Sequence, residues 1–266
     1  KDFSIRVFLQ DNADEQIMSA LISAIETPDN QEAYRKELLQ YFDVDGSFQV
    51  LLLTCEGLDA MDTVERKKLS YRIQVYLEEI THNASFFYYN SDFVLVANAV
   101  PEEFLYRLAE GTIRRANRRM PGLKLYVGIG SRRMDVSHLA VSYQRAKAAV
   151  HMAMTRKLPV VKFDECGLYR LLYTVGDPEI LQEMRTERLA ALEDYDREHH
   201  AGYMETLQSY LKHNGSIQAV AGELYTHRNT VLYRMGNIKK IIGSNLETPE
   251  ERLPYQIAFY IRSMLL

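Results

Sequence analysis

The apolar positions of this chain change period along its length. Ser4–Leu9 alternates as a strand does, and Ile17, Leu21 and Ile25 then recur every fourth residue. Thr27-Pro28-Asp29-Asn30 breaks the pattern as a turn, and Tyr34, Leu38, Leu39 and Phe42 form a second helical stripe. From Gly46 to about Leu168, strands and helices alternate. Phe48–Thr54 reads as a buried strand, 62–80 as a charged helix, and 85–98 as a hairpin of two β-rich runs around Asn90-Ser91. Pro101, at the first helical position, opens a helix to about Met120, and Pro121-Gly122 turns the chain. A strand over 123–130, a helix from Val136 to about Thr155 and a closing strand over 159–163 follow. The order β-α-β-β-α-β-α-β predicts a sheet with helices packed against it, an α+β arrangement.

Past Gly176-Asp177-Pro178 the pattern turns wholly helical. Ile180, Met184, Leu189 and Leu192 lead into a charged stretch, and Tyr203 to Lys212 makes a helix with Met204, Leu207 and Leu211 inward. His213-Asn214-Gly215 ends it. Ser216 is then a good N-cap, and Ile217, Val220, Ala221 and Leu224 mark one apolar face of a short helix. Tyr225 and Thr226 form a break. A second helix starts near His227 or Arg228 and stops at Gly243, with Val231, Met235, Ile238 and Ile242 inward. The opposite face carries Asn229, Tyr233, Gly236 and Lys240. Two short helices with a tight connection fit a helix-turn-helix. Thr248-Pro249-Glu250-Glu251 then has the form of a capping box for a last helix bearing Ile257, Tyr260, Ile261, Met264 and Leu265, in which Pro254 should force a kink or restart.

Charge sharpens this picture. The chain is net −4, yet Arg228, Arg234, Lys239 and Lys240 fall between Leu224 and Leu246 with no acid among them. Phosphate neutralisation supplies much of the affinity for DNA, so a basic patch on an acidic protein is what a duplex partner needs. Asn229, Thr230 and Tyr233 add hydrogen-bonding tips that reach base edges or phosphates. The remaining composition, 47% hydrophobic and 26% charged over 266 residues, is that of a globular protein of two domains. No apolar run approaches the ~20 residues of a membrane span, and no signal peptide opens the chain, so a cytoplasmic protein without a membrane partner is expected. The absence of an initiator Met points to a missing upstream domain. Cys55 and Cys166 read as buried thiols of a reducing compartment, which leaves the sequons at Asn83 and Asn214 unmodified.

The run ELYTHRNTVLYRM resembles the C-terminal helix-turn-helix of the PucR/CdaR family of bacterial transcriptional regulators. The Leu-x-x-His-Arg-Asn-Thr-x-x-Tyr-Arg pattern is complete in Leu224, His227, Arg228, Asn229, Thr230, Tyr233 and Arg234. The strand–helix order, with VGIGSRR (127–133) and SYQRAKAAVHMA (142–153), resembles that family's GGDEF-like domain. The resemblance implies a lead segment over 1–45, a GGDEF-like domain over 46–168, a helical connector over 169–200 and a DNA-binding domain over 201–266. It implies a homodimer on double-stranded DNA, regulating metabolic genes in response to a small-molecule effector. Asn229 and Tyr233 would face bases, and Arg228, Lys239 and Lys240 bases or phosphates. Ser216 and Gln218 would clamp a phosphate. His227 is most simply an N-cap, Thr230 sits on a flank, and Arg234 falls near the protein-facing edge, where an ion pair with Glu223 competes with a phosphate contact.

An enzyme of the nucleotide cyclase or phosphodiesterase type is the competing reading, and a protein-interaction module with a basic helix is a third. Against the enzyme, the signature turn would be Tyr89, Asn90, Ser91, Asp92 and Phe93. Both glycines are gone and Ser91 stands where an acid should be. Leu53-Thr54-Cys55 offers no metal-binding acid, Glu56 being the nearest, whereas phosphate chemistry with two metals needs hard carboxylate ligands. No catalytic residue, cofactor or metal is therefore expected. Gly128-Ile-Gly130 lacks the rest of a phosphate-binding fingerprint and reads as close strand–helix packing. His199-His200 has no Cys or carboxylate at ligand spacing beside it.

Overall fold

The computed structural model describes residues 15–78, 83–120, 122–175 and 177–265. The expected strand Ser4–Leu9 lies outside them, as do Ile80, Pro121, Gly176 and the side chain of Leu265. The chain divides into two compact units, Lys1–Arg170 and Leu171–Leu266.

In the first unit, β1 (Ser47–Cys55), β2 (Ala84–Tyr89), β3 (Asp92–Asn98), β4 (Leu125–Ile129) and β6 (Val160–Lys162) form a mixed sheet ordered β2-β3-β1-β4-β6. The two-residue β5 (Arg133–Met134), which periodicity does not signal, pairs with β1. Only β4 and β6 run parallel among the described pairs. β1 is central and buried from Phe48 to Cys55, which is why its sequence is almost unbroken apolar rather than alternating. Leu51, Leu53 and Cys55 share a core with Leu69 and Ile73 of α3 (Thr63–Glu78) and with Leu105 and Leu108 of α4 (Glu102–Arg119).

The pleat sends Val50 and Leu52 to the other face, where α5 (Leu139–Arg156) packs. Gly128 stands opposite Leu52 in register, and a Cβ there would lie 2.1 Å from the Val150 backbone nitrogen. One on Gly130 would lie 2.1 Å from the Ser142 carbonyl oxygen. The glycine pair thus lets a helix backbone lie on the strand. Ser142 Oγ accepts from the Val50 N–H at 2.9 Å, which ties α5 to β1, and Gln49 Nε2 donates to the Gly130 carbonyl at 2.8 Å.

Four local expectations shift. α1 (15–26) and α2 (Gln31–Leu38) form as the stripes predict, but α2 ends at Leu38 and Leu39 is 63% exposed. Pro101 is the extended N-cap residue of α4 rather than its first helical residue. Asp62 caps α3 by accepting from the Val64 and Glu65 N–H groups. Val136–His138 is a single 3₁₀ turn ahead of α5.

The short α6 (Tyr169–Leu172) precedes the helices of the second unit: α7 (Pro178–His199), α8 (Tyr203–Lys212), α9 (Ile217–Glu223), α10 (Arg228–Ile242) and α11 (Pro249–Leu265). Leu189 and Leu192 of α7, Leu207 of α8, Val220 of α9, Val231 and Ile238 of α10 and Phe259 of α11 share one core. α7 is one 22-residue helix capped by Asp177, whose side chain accepts from the Glu179 N–H. Ile180 and Met184, expected inward, are 48% and 40% exposed. They lie roughly 90° or more from the stripe of Leu181, Leu189 and Leu192 at 100° per residue. α11 runs through Pro254 without the expected restart, although a proline there cannot donate to the Glu250 carbonyl. Thr248 Oγ1 accepts from the Glu251 N–H at 3.3 Å, while the Glu251 carboxylate reaches back to Glu247 rather than to Thr248. Among the described residues no helix is long and apolar enough to cross a membrane.

Candidate nucleic-acid interface

The helix-turn-helix is set by local caps. Ser216 is the extended N-cap of α9, and its hydroxyl accepts from the Ala219 N–H at 3.4 Å. At the other end, Tyr225 adopts φ 50°. The Thr226 N–H bonds the Ala221 carbonyl at 3.0 Å and the Tyr225 N–H bonds that of Gly222 at 3.4 Å. This is a Schellman closure with tyrosine where glycine is usual. His227 then caps α10, its Nδ1 accepting from the Asn229 N–H at 3.2 Å, and Gly243 closes the helix at φ 65°. A neutral imidazole is required for that acceptance.

α10 is anchored by Val231, Met235 and Ile238, all buried. Arg228, Asn229, Thr230, Tyr233 and Lys240 are exposed, Lys239 is half-buried, and Ser216, Gln218 and His227 are exposed around them. Most of the expected residues are thus at least partly open to solvent. Arg234 Nη1 donates to the Thr206 hydroxyl on α8 at 3.2 Å. The expected partner, Glu223, is occupied elsewhere: it accepts from Lys212 Nζ, from Ser209 Oγ at 2.5 Å and from His213 Nε2 at 2.9 Å. The Lys212 contact, followed by Ser209, draws the Glu223 carboxyl down to about 2. The acid nearest the turn is thus paired within the protein.

Sequence periodicity misses three residues here. Asn237 Nδ2 donates to the Tyr203 hydroxyl at 2.8 Å, a second tie from α10 to α8. Tyr225 is 97% exposed and Leu232 46%, both on or beside the basic helix. The signal for Leu232 is a lone apolar residue on a flank otherwise made of Arg228 and Lys239.

The hairpin of the first unit has different chemistry. Asn90 and Ser91 both take positive φ, 48° and 67°, as a two-residue I′ turn requires. The Tyr89 hydroxyl donates to Glu26 at 2.6 Å and its ring lies 5.9 Å from that of Tyr143. Glu56, at the end of β1, accepts from Lys157 Nζ at 2.6 Å and from the Tyr126 hydroxyl at 3.0 Å, with Lys124 at 3.4 Å. Lys157 and then Tyr126 hold its carboxyl down to about 2. Among the described residues no group of three or more His, Cys, Asp or Glu is placed to hold a metal ion. His199 stacks on Tyr195, ring centroids 4.1 Å apart, and both cysteines are buried.

Comparison with known proteins agrees with this layout. Residues 203–261 match the PucR C-terminal helix-turn-helix domain, and residues 26–152 match the GGDEF-like domain. The chain is 29% identical over 126 residues to the proline-responsive transcriptional activator PutR of Bacillus subtilis, covering 46% of this chain and 30% of that protein. It is 24% identical over 168 residues to the DNA-binding transcriptional activator AdeR of the same organism, covering 62% and 40%. A purine catabolism regulatory protein from B. subtilis is 29% identical over 87 residues, 33% of this chain and 16% of that protein. The matched stretches thus span less than half the length of these relatives. A GGDEF-like domain is thus followed in this chain by a PucR-type helix-turn-helix whose motif residues are all in place.

Proposed function

We propose that this protein is a cytoplasmic, sequence-specific DNA-binding transcriptional regulator that acts as a homodimer on duplex DNA. One observation carries the reading: α10 is held by an apolar inner face and turns a cationic, hydrogen-bonding surface outward with no acid between Leu224 and Leu246. Asn229 and Tyr233 read base edges, Arg228, Lys239 and Lys240 contact bases or phosphates, and Ser216 and Gln218 meet the backbone beside the groove. Thr230, exposed on α10, is available to a phosphate, while His227 shapes the helix start. Paired half-sites would lie about 34 Å apart, or a multiple of that.

The GGDEF-like unit serves as a dimerisation or relay module without turnover, and a small-molecule effector binds there or elsewhere in the full-length protein. The clamp on Glu56 by Lys157 and Lys124 supports a non-catalytic role, because the acid nearest the expected metal position already has its cations. The relatives' names, proline-responsive activator and purine catabolism regulator, support metabolic genes as the targets. The division into lead segment, GGDEF-like domain, connector and DNA-binding domain belongs to the same proposal, with 169–200 carrying α7 into the core of the helical unit. Selection of bound sequences from random duplex DNA tests the whole reading. A symmetric pair of half-sites is expected, and recovery of no enriched sequence would contradict it.

A further inference from the structure

Leu232 occupies an unusual frame. At 100° per residue, Arg228, Leu232 and Lys239 fall within about 40° of one another on α10. The opposite flank is tied to α8, through Arg234 to Thr206 and Asn237 to Tyr203. The Arg228–Leu232–Lys239 flank makes neither of those ties, and Leu232 lies about 60° from Asn229 and about 100° from Tyr233 around the helix. Leu232 is 46% exposed there, although Val231, Met235 and Ile238 already supply the helix with its buried anchors. Single exposed leucines are ordinary on protein surfaces. One set between two cations, on the N-terminal half of a groove-directed helix, is matched to a particular partner: a surface that is anionic overall and apolar at isolated points.

The major groove has that character. Phosphates line it, and its base edges are polar except for the C5 methyl of thymine. We infer that Leu232 is a specificity-determining residue that packs on a thymine methyl in each half-site, between the phosphate contacts of Arg228 and Lys239. This rests on the DNA-binding reading above. An acidic protein surface would satisfy the two cations and leave the leucine exposed against charge, so the duplex is the better occupant.

Deoxyuridine separates the contributions, because it keeps pairing and charge and lacks only the methyl. The probe is the duplex recovered by selection, with each thymidine in turn replaced by deoxyuridine, titrated with the whole chain. One position per half-site should weaken wild-type binding about three- to fivefold, the value of a buried methyl. Leu232→Ala and Leu232→Gln should bind the thymidine and deoxyuridine duplexes equally, with the wild-type salt dependence and thermal midpoint. The Gln variant keeps the side-chain length and guards against a loss due to misfolding. If wild type binds tightly but no thymidine shows a penalty that depends on residue 232, or the selected half-site holds no thymine, this inference fails and DNA binding stands. If wild type prefers no duplex, both fall together.

Discussion

Arg234 donates to the Thr206 hydroxyl at 3.2 Å, so one of the four cations of the basic run holds α10 to α8 instead of facing outward. Gly202, at φ 68°, lies beside the guanidinium at the start of α8. Replacing Arg234 with Met should cost about 1 kcal/mol of stability, the usual worth of one hydrogen bond, in chemical denaturation of the helical unit. The slope of log affinity against log salt for DNA should stay as in wild type. A slope reduced by the mutation would mean that Arg234 meets a phosphate after all.

The Glu223 cluster gives a pH signature. Its carboxyl lies at about 2 in the folded protein against 4.5 for the ordinary group, chiefly through Lys212 and then Ser209. A depressed carboxyl stabilises the fold above its unfolded value, and that contribution is lost as pH falls through the folded one. Thermal midpoints of the helical unit should therefore decline between pH 4.5 and about 2, and Glu223→Gln should flatten that stretch of the curve.

Tyr225 holds a left-handed position at which glycine would be free of strain, and its ring is 97% exposed. Tyr225→Gly should raise stability by about 1 kcal/mol. Strain kept at a fully exposed aromatic beside the basic helix fits a contact outside the chain. The better-folded variant should accordingly bind the selected duplex more weakly than wild type, as a direct titration would show.

Gly128 tests the packing of the first unit. Its missing Cβ leaves room for the Val150 backbone nitrogen, which a methyl would approach to 2.1 Å. A helix backbone cannot rotate away as a side chain can, so Gly128→Ala should cost about 3 kcal/mol or more, at the upper end for overpacking. Near-wild-type denaturation would show that α5 does not lie against β4 as described.

What can be read in the sequence is what depends on neighbours in the chain. Ser216, His227 and Gly243 bound their helices because capping is decided within three or four residues. The hairpin turn follows from Asn90-Ser91, and the double burial of β1 from its unbroken apolar run. What cannot be read is which flank of an amphipathic helix is covered. Arg234 and Asn237 find partners on α8, 28 and 34 residues earlier, and no periodicity within α10 encodes them. The pairing of Glu223 with Arg234 fails for the same reason, since Lys212 and His213 reach that carboxylate from the end of α8. Ile180 and Met184 read as inward because a stripe offset by one residue looks equally helical until the rest of the core is known.

The salt dependence of duplex binding tests the central claim most directly. Removing one phosphate-binding cation should reduce the slope of log affinity against log salt by about 0.9. The outward face of α10 predicts such a reduction for Lys240→Ala and again for Arg228→Ala, with Asn229→Ala leaving the slope intact while lowering discrimination between sequences by about 1–3 kcal/mol. Slopes and discrimination unchanged in all three variants would contradict the account.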